Sequence, residues 1–126
     1  MLQKKAIETT TQAVHISRLF SVPKKGTDRL RMILDLSYLN CFICRPKFKM
    51  TTVNHVREII SLGAWMATID LKDAYWHVPI HQAFRNYLAF KINKTTFRFR
   101  AMPFGLNIAH RIFTKLVGVV IKEILL

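Results

Sequence analysis

The sequence predicts an α+β fold, an antiparallel sheet with two helices packed on one face. Two pairs of segments show strand patterns joined by turn residues, and two other segments carry apolar residues at helical spacing. Hydrophobic residues make up 51% of the 126 residues, which is enough to build the core of one domain. No internal repeat is present, and a disordered basic tail does not fit this apolar content.

The first half of the chain begins with a polar, Thr-rich stretch, residues 1–15, in which helical spacing is weak. Residues 16–23 and 30–36 then predict the two strands of a hairpin. The connecting turn, residues 24–29, contains a glycine and is basic, so the tip of this hairpin is positively charged.

The middle of the chain predicts one helix and one buried strand. Residues 37–50 look irregular and basic, and Thr51 or Thr52 can cap a helix over residues 53–62, which Gly63 ends. After that glycine comes a short apolar run that ends in an acid, and this run predicts a buried strand over residues 65–70.

The second half predicts one helical turn over residues 81–87, followed by a hairpin. Its strands are residues 88–92 and 96–102, which pair around residues 93–95. The hairpin leads into a helix over residues 107–126, and its apolar positions cover more than one stripe. We therefore expect this helix to be buried on several sides.

Alternation in the second strand of that hairpin separates two kinds of side chain. Phe97 and Phe99 share one face, and Arg98 and Arg100 share the other. One face can pack on a core while the other meets phosphate.

The charge of the chain points to a polyanionic partner. With 20 Lys or Arg and 7 Asp or Glu, the formal charge is +13, and clustered cations gain affinity for phosphates by releasing counterions. We expect no membrane span, because no apolar stretch reaches the roughly 20 residues required. Cys41 and Cys44 offer no disulfide framework, which fits an intracellular compartment, either cytoplasm or nucleus. They also supply only two of four zinc ligands, so we expect core or loop residues instead.

Asp70 is the sharpest candidate for chemistry from the residues alone. A carboxylate at the end of an apolar strand is costly to bury unless it binds a cation or a donor, and Mg²⁺ prefers oxygen ligands. Asp73, three residues later, can instead cap the following turn through backbone N–H groups.

The basic tip of the first hairpin is a second candidate. Lys24, Lys25 and Arg31 can clamp a triphosphate, with Lys acting as a point charge and Arg as a fork. A solvated turn without a ligand is the alternative interpretation.

Three segments, taken in order, carry a family resemblance: FSVPKKGTDRLRMILDLSYLN (20–40), WMATIDLKDAYWHVPIH (65–81) and FRFRAMPFGLNIAHRIFTKL (97–116). They resemble the fingers and the front half of the palm of reverse transcriptases, RNA-directed DNA polymerases, of gypsy- or DIRS-type retrotransposons. The resemblance covers roughly residues 18–122. It divides the chain into a polar segment, residues 1–17, and a truncated polymerase domain, residues 18–126, with fingers over 18–64 and partial palm over 65–126.

The resemblance implies roles in template-directed nucleotidyl transfer. Asp70 matches the first catalytic carboxylate, which holds two Mg²⁺ ions in intact members, and the carbonyl of Leu71 matches a group that helps to hold the nucleotide's metal. Lys24 and Arg31 match fingers residues that contact the incoming triphosphate, with the register of Lys24 against Lys25 left open.

Further positions follow from the same resemblance. Asp73 and Ala74 match the turn whose backbone amides face the phosphates. Tyr75 matches the aromatic gate beneath the sugar, where a 2′-hydroxyl would clash, and Phe104 lies where the family lines the nucleotide pocket. The candidate contacts to an RNA or DNA template–primer are Lys25, Arg98 and Arg100.

The chain also departs from the family pattern. The other metal ligands of the family lie in a Tyr-x-Asp-Asp hairpin, and no Asp-Asp pair occurs among the 7 acids of this chain. The expectation is a polymerase fragment that is inactive alone and that belongs with the rest of a polyprotein. His110 stands where Pro is usual, and Ser37 where Arg is common; both changes suit a decaying copy.

Two other functions remain compatible with the residues: a non-catalytic basic nucleic-acid-binding module, and a translated pseudogene fragment that never folds stably. The first predicts binding with a steep salt dependence, and the second an uncooperative melt. Because the palm is only partial, we expect an exposed sheet edge near Asp70 and an exposed apolar face on the last helix.

Overall fold

The computed structural model describes residues 5–26 and 28–125, and these residues contain strands, α-helices and two 3₁₀-helices. The strands are β1 (Ile7–Thr9), β2 (Ile16–Ser17), β3 (Leu19–Pro23), β4 (Leu30–Leu34), β5 (Ala89–Ile92) and β6 (Thr95–Phe99). The α-helices are α1 (Ser37–Asn40), α2 (Val53–Ile59) and α3 (Ala109–Leu125). The 3₁₀-helices span Ala74–His77 and Gln82–Tyr87.

The larger sheet has the strand order β1-β6-β5-β2, which places the start of the chain beside the second hairpin. β6 pairs antiparallel with both β1 and β5, whereas β2 runs parallel to β5. β3 and β4 form a separate antiparallel pair, as the first hairpin pattern predicts. The α+β fold class is confirmed, with one parallel pair added to the expected antiparallel sheet.

The core of the molecule gathers buried side chains from the sheet, the end of β4, the loop after β6 and the start of α3. Its members are Ile7, Leu34, Leu36, Leu88, Phe90, Phe99, Met102, Leu106 and Ala109. Phe90 is fully buried and packs against Phe97 and Phe99, with ring centroids 5.7 and 5.3 Å away. The predicted apolar face of β6 is therefore confirmed.

The hairpin of β5 and β6 follows its local sequence signal closely. Ile92 pairs with Thr95 across a two-residue turn, and Asn93 adopts a φ of +53° in that turn. Asn tolerates the left-handed region better than most residues, which is why such turns favour it. The helical turn predicted just before the hairpin is also present, as the 3₁₀-helix Gln82–Tyr87.

The predicted buried strand over residues 65–70 is wrong. This segment has no regular structure, and the side chains of Trp65 and Ile69 are 102% and 79% exposed. A strand is stable only when a neighbour bonds its backbone and covers its apolar face. Among the described residues no strand pairs with this segment.

The two predicted helices differ from expectation in their packing. Thr52 caps α2 by accepting a hydrogen bond from the His55 N–H at 3.4 Å, yet the helix ends at Ile59 rather than at Gly63, and none of its residues is buried. In α3 the expected exposed apolar face is present, with Leu116, Val119, Val120 and Ile121 exposed, while burial on several sides is not seen. No described helix combines the length and apolarity required to cross a membrane.

Two short elements were missed by the sequence analysis. β1 lies in the polar N-terminal stretch, and α1 lies in the segment expected to be irregular. The free thiols follow α1 and are exposed; Cys41 donates to the carbonyl oxygen of Ser37 at 3.4 Å. The loop interpretation of Cys41 and Cys44 is therefore confirmed, and the core alternative is wrong.

Candidate functional site

A cavity of about 1040 Å³ opens where β4, the first 3₁₀-helix and the loop before α3 meet. Four of the sequence-predicted site residues line it although they are distant in the chain: Arg31, Ala74, Tyr75 and Phe104. β4 places Arg31, the 3₁₀-helix places Ala74 and Tyr75, and the loop places Phe104. The fold thus brings these four residues into one wall.

A cation and two aromatic rings meet in this wall. The guanidinium carbon of Arg31 lies 5.6 Å from the centre of the Phe104 ring, close enough for cation–π attraction. The rings of Phe104 and Tyr75 lie 5.2 Å apart at 52°. A ligand that carries both an anionic group and a planar ring would find a partner for each here.

Tyr75 is half-buried and contacts two side chains of α3. Its hydroxyl oxygen lies 2.7 Å from Nδ1 of His110, and its ring meets Phe113 edge to face at 5.5 Å. Burial raises the pKa of the Tyr75 phenol above its ordinary value of 10.0, so the hydroxyl keeps its proton at neutral pH.

A pair of asparagines ties the end of α1 to the loop that carries Phe104. The Asn40 amide donates from Nδ2 to the Gly105 carbonyl at 2.8 Å, and Asn40 Oδ1 accepts from the Asn107 N–H at 3.0 Å. Asn107 Nδ2 returns a hydrogen bond to the Asn40 carbonyl at 3.1 Å. The sequence does not predict this contact, because the two asparagines are 67 residues apart and no local sequence pattern connects them.

The turn inside that loop depends on glycine. Gly105 has a φ of +101°, and a Cβ built on it would lie 2.6 Å from the carbonyl oxygen of Leu34. The loop therefore packs directly against the end of β4, which sets Phe104 beside Arg31.

The rim of the cavity is electropositive. Arg45, Lys47 and Arg111 join Arg31 among its lining residues, and none of the lining residues that the structure describes is Asp or Glu. The basic stretch expected to be irregular, residues 37–50, thus contributes two cations to the rim. A polyanionic ligand would be attracted to this opening.

The metal half of the site is not assembled in the described residues. Asp70 and Leu71 are exposed and lie outside the cavity wall, and no three His, Cys, Asp or Glu side chains of the described chain come together as a metal site. The predicted side-chain cap at Asp73 is wrong, because Asp73 precedes the 3₁₀-helix without a side-chain capping hydrogen bond. Its φ is +54°, and its carbonyl accepts the Trp76 N–H at 2.8 Å. The residues present do not fit a two-Mg²⁺ centre.

The tip of the first hairpin lies apart from the cavity wall. Lys24 and Lys25 are exposed, and the Lys24 N–H donates to the Arg29 carbonyl at 3.0 Å. Arg31, further along β4, is the member of this basic group that reaches the cavity.

Arg98 and Arg100 share a face of β6 as predicted, but their partner is a carboxylate. Arg98 Nε donates to Glu8 at 2.7 Å and its terminal nitrogen donates to Asn86, while Arg100 and Arg85 approach Glu8 at 3.4 and 3.6 Å. Burial alone would raise the pKa of Glu8, but the hydrogen bond and charge of Arg98, with Arg85 and Arg100, lower it overall. This cluster joins β1 to β6.

Comparison with known families gives one match that spans nearly the whole chain. The model described as "Reverse transcriptase (RNA-dependent DNA polymerase)" matches residues 2–126. Among curated proteins, the retrovirus-related Pol polyprotein from transposon gypsy of Drosophila melanogaster is 26% identical over 97% of this chain. The transposon Tf2-7 polyprotein of Schizosaccharomyces pombe is 26% identical over 96% of it. The chain spans 12% and 9% of these two relatives.

Solved structures agree on the fold. The foamy viral protease–reverse transcriptase in complex with double-stranded DNA superposes with a TM-score of 0.80 at 21% identity, covering 98% of this chain and 21% of that one. The native prototype foamy virus protease–reverse transcriptase gives 0.80 at 23% identity, covering 98% and 16%.

Proposed function

This chain belongs to the reverse transcriptase family, and we propose that it supplies the nucleotide-contacting wall of a retroelement RNA-directed DNA polymerase. The observation that carries the proposal is the convergence of Arg31, Ala74, Tyr75 and Phe104 on one electropositive cavity. The family pattern expects nucleotide contacts at these four positions, and all four line the same cavity.

Each residue of the wall has a chemical task in this proposal. Arg31 offers a fixed fork of N–H donors to the triphosphate, and the backbone amides of Asp73 and Ala74 face the same phosphates. Tyr75 lies beneath the sugar, and Phe104 offers its ring to the nucleotide. Lys24 or Lys25 adds a point charge from the hairpin tip when the triphosphate is bound.

We assign to Asp70 the role of the catalytic carboxylate, with the Leu71 carbonyl beside it as a further metal ligand. One exposed carboxylate leaves a divalent ion without most of its protein ligands. The remaining ligands would have to come from residues outside this sequence. The 126-residue chain by itself is therefore expected to bind nucleotide without transferring it.

Nucleotide binding tests the wall directly. Titration with dATP, with and without Mg²⁺, should quench the fluorescence of Trp76, the neighbour of Tyr75, and should saturate. Arg31→Ala should weaken binding roughly ten- to a hundredfold, since a charge-assisted bidentate contact contributes about 1.5–3 kcal/mol. Arg57→Ala, which removes the same charge from exposed α2, is the matched control and should leave affinity unchanged. Equal loss in both variants would contradict a specific triphosphate contact.

Primer extension tests the proposed role of Asp70 and the expected inactivity of the chain by itself. With template–primer, dNTPs and Mg²⁺, no Asp70-dependent synthesis is expected from this chain. Robust synthesis that disappears in Asp70→Ala would overturn the inactivity and would show that the carboxylate finds its metal in this chain.

A second candidate function, a basic nucleic-acid-binding module, is favoured by the cations around the cavity mouth, Arg45, Lys47 and Arg111. Fluorescence anisotropy with a labelled template–primer should give an affinity that falls steeply between 50 and 200 mM salt, by roughly a factor of ten or more for each few phosphate contacts. Lys47→Gln should flatten that slope. Arg98→Gln should not, because Glu8 and Asn86 already occupy its guanidinium. Salt-independent binding would rule out the module.

A further inference from the structure

His110 departs from the family pattern, in which Pro is usual, and the structure gives this departure a contact. The imidazole lies on the first turn of α3, with Nδ1 2.7 Å from the Tyr75 hydroxyl oxygen. The two rings meet edge to face at 5.9 Å and 78°. A Pro at this position offers no side-chain hydrogen bond, so the contact depends on the His110 that this sequence carries.

Among the described residues, the side chain of Tyr75 also makes ring contacts and packs against the core. Phe104 and Phe113 approach its ring at 5.2 and 5.5 Å from the loop and from α3. Packing of this kind restricts the plane of a ring but fixes its in-plane position weakly, whereas a hydrogen bond of 2.7 Å is directional. His110 is therefore the contact that sets how far the Tyr75 ring projects along the cavity wall.

We propose that His110 is a positioning residue for sugar discrimination: its imidazole anchors the Tyr75 hydroxyl and holds the Tyr75 ring where a ribose 2′-hydroxyl would meet it. This inference rests on the proposed nucleotide-binding function of the cavity. His110 acts through Tyr75 and is not a catalytic residue. In this proposal, His110 in place of Pro is a functional feature of the nucleotide-contacting wall and not a sign of a decaying copy.

A purely structural role for the pair predicts something different. If the contact only anchored α3 to the 3₁₀-helix, its loss would lower the affinity for every ligand of the cavity together. A positioning role predicts that inorganic triphosphate, whose partner is Arg31, binds unchanged, while the ratio of dATP to ATP affinity falls. The two probes therefore separate the two roles.

Three variants test the inference: His110→Phe keeps an aromatic edge without a hydrogen-bonding nitrogen, His110→Asn places an amide that can accept or donate near the position of Nδ1, and Tyr75→Phe removes the hydroxyl. Loss of one neutral hydrogen bond should reduce the dATP:ATP affinity ratio roughly two- to tenfold in His110→Phe. His110→Asn should restore most of the ratio. Tyr75→Phe combined with His110→Phe should cost no more than either change alone, because the two side chains act as one unit.

The hydrogen bond also has a readout that needs no ligand. The ¹⁵N resonance of His110 Nδ1, assigned by its absence in His110→Asn, should shift in Tyr75→Phe. An unchanged Nδ1 resonance overturns the contact itself. Nucleotide binding by the wild type with an unchanged affinity ratio in His110→Phe overturns the positioning role alone. No nucleotide binding by the wild type overturns the proposed function, and the inference falls with it.

Discussion

The cavity wall and the segment that carries Asp70 both lie within the residues that match the reverse transcriptase family, yet only the wall is assembled in the described residues. Arg31, Tyr75 and Phe104 each contact a side chain from another part of the chain. Residues 60–71 instead run exposed and without regular structure, although they include large apolar side chains. A motif therefore folds only where its packing partners are present, and the partners of the wall lie within the described residues.

The largest contrast should appear when the core, against which Tyr75 of the wall packs, and the exposed segment each lose an aromatic ring. Phe90→Ala, at the centre of the core, is expected to cost about 3–5 kcal/mol of unfolding free energy, because a fully buried ring leaves a cavity. Trp65→Ala removes a larger but fully exposed ring and should change stability by less than about 0.5 kcal/mol. Chemical denaturation of both variants measures the difference.

A comparable loss in both variants would show that residues 60–71 pack in solution. A broad, uncooperative melt of the wild type would favour the third possibility, a fragment that does not fold stably. Either result would remove the contrast between the regions.

Glycine substitutions sharpen the same comparison at the backbone. Gly105→Ala, in the wall, combines a φ of +101° with a Cβ 2.6 Å from the Leu34 carbonyl oxygen, and should cost about 2–4 kcal/mol. Gly63, within the exposed segment, has a φ of +78° and no atom within 4 Å of an added Cβ, so Gly63→Ala carries only the conformational cost of about 1–2 kcal/mol. Thermal melts of the pair should separate clearly; equal melting temperatures would mean that the Gly105 approach is relaxed in solution.

Local sequence patterns correctly predicted the elements whose contacts are made by residues close together in the sequence. The second hairpin, the alternation of Phe97 and Phe99 against Arg98 and Arg100, and the Thr52 cap all follow from adjacent residues. Four members of the cavity wall were also predicted, but their convergence followed from the family resemblance and not from any local pattern. Hydrophobic periodicity and helix-capping residues give information only about residues that are close together in the sequence.

What the sequence could not predict depends on distant partners. The Asn40–Asn107 pair and the approach of Glu8 to Arg98 join residues separated by most of the domain. The phosphate-facing interpretation of Arg98 and Arg100 did not foresee an internal carboxylate, since Glu8 lies in a stretch without a clear strand pattern. Conversely, the segment ending in Asp70 has the apolar composition of a buried strand, but none of the described strands pairs with it and its large apolar side chains are exposed.

Removing the asparagine pair should affect the wall more than the protein as a whole. Asn40→Ala deletes two hydrogen bonds and leaves the Gly105 carbonyl and the Asn107 N–H without them, which should cost about 1–3 kcal/mol. Hydrogen exchange at Leu106 and Asn107 should speed up ahead of exchange in β5. Asn54→Ala on exposed α2 is the control and should change neither quantity. Uniform acceleration across the sheet would contradict a local role for the pair.

The smallest expected effect comes from the charge cluster that joins β1 to β6. The arginines of this cluster lower the pKa of Glu8 below its ordinary value of 4.5. The ionised carboxylate therefore stabilises the folded state at any pH above 4.5, and this contribution is lost as the pH falls through the lowered pKa. Glu8→Gln should therefore cost about 1 kcal/mol at pH 7, and the cost should shrink as the pH falls through the lowered pKa of Glu8 and the wild type becomes protonated. The control Glu58→Gln, at an exposed carboxylate 3.7 Å from His55, should show no such dependence. Denaturant melts across this range of pH measure it, and a Glu8→Gln deficit that persists at low pH would assign the effect to packing of the side chain.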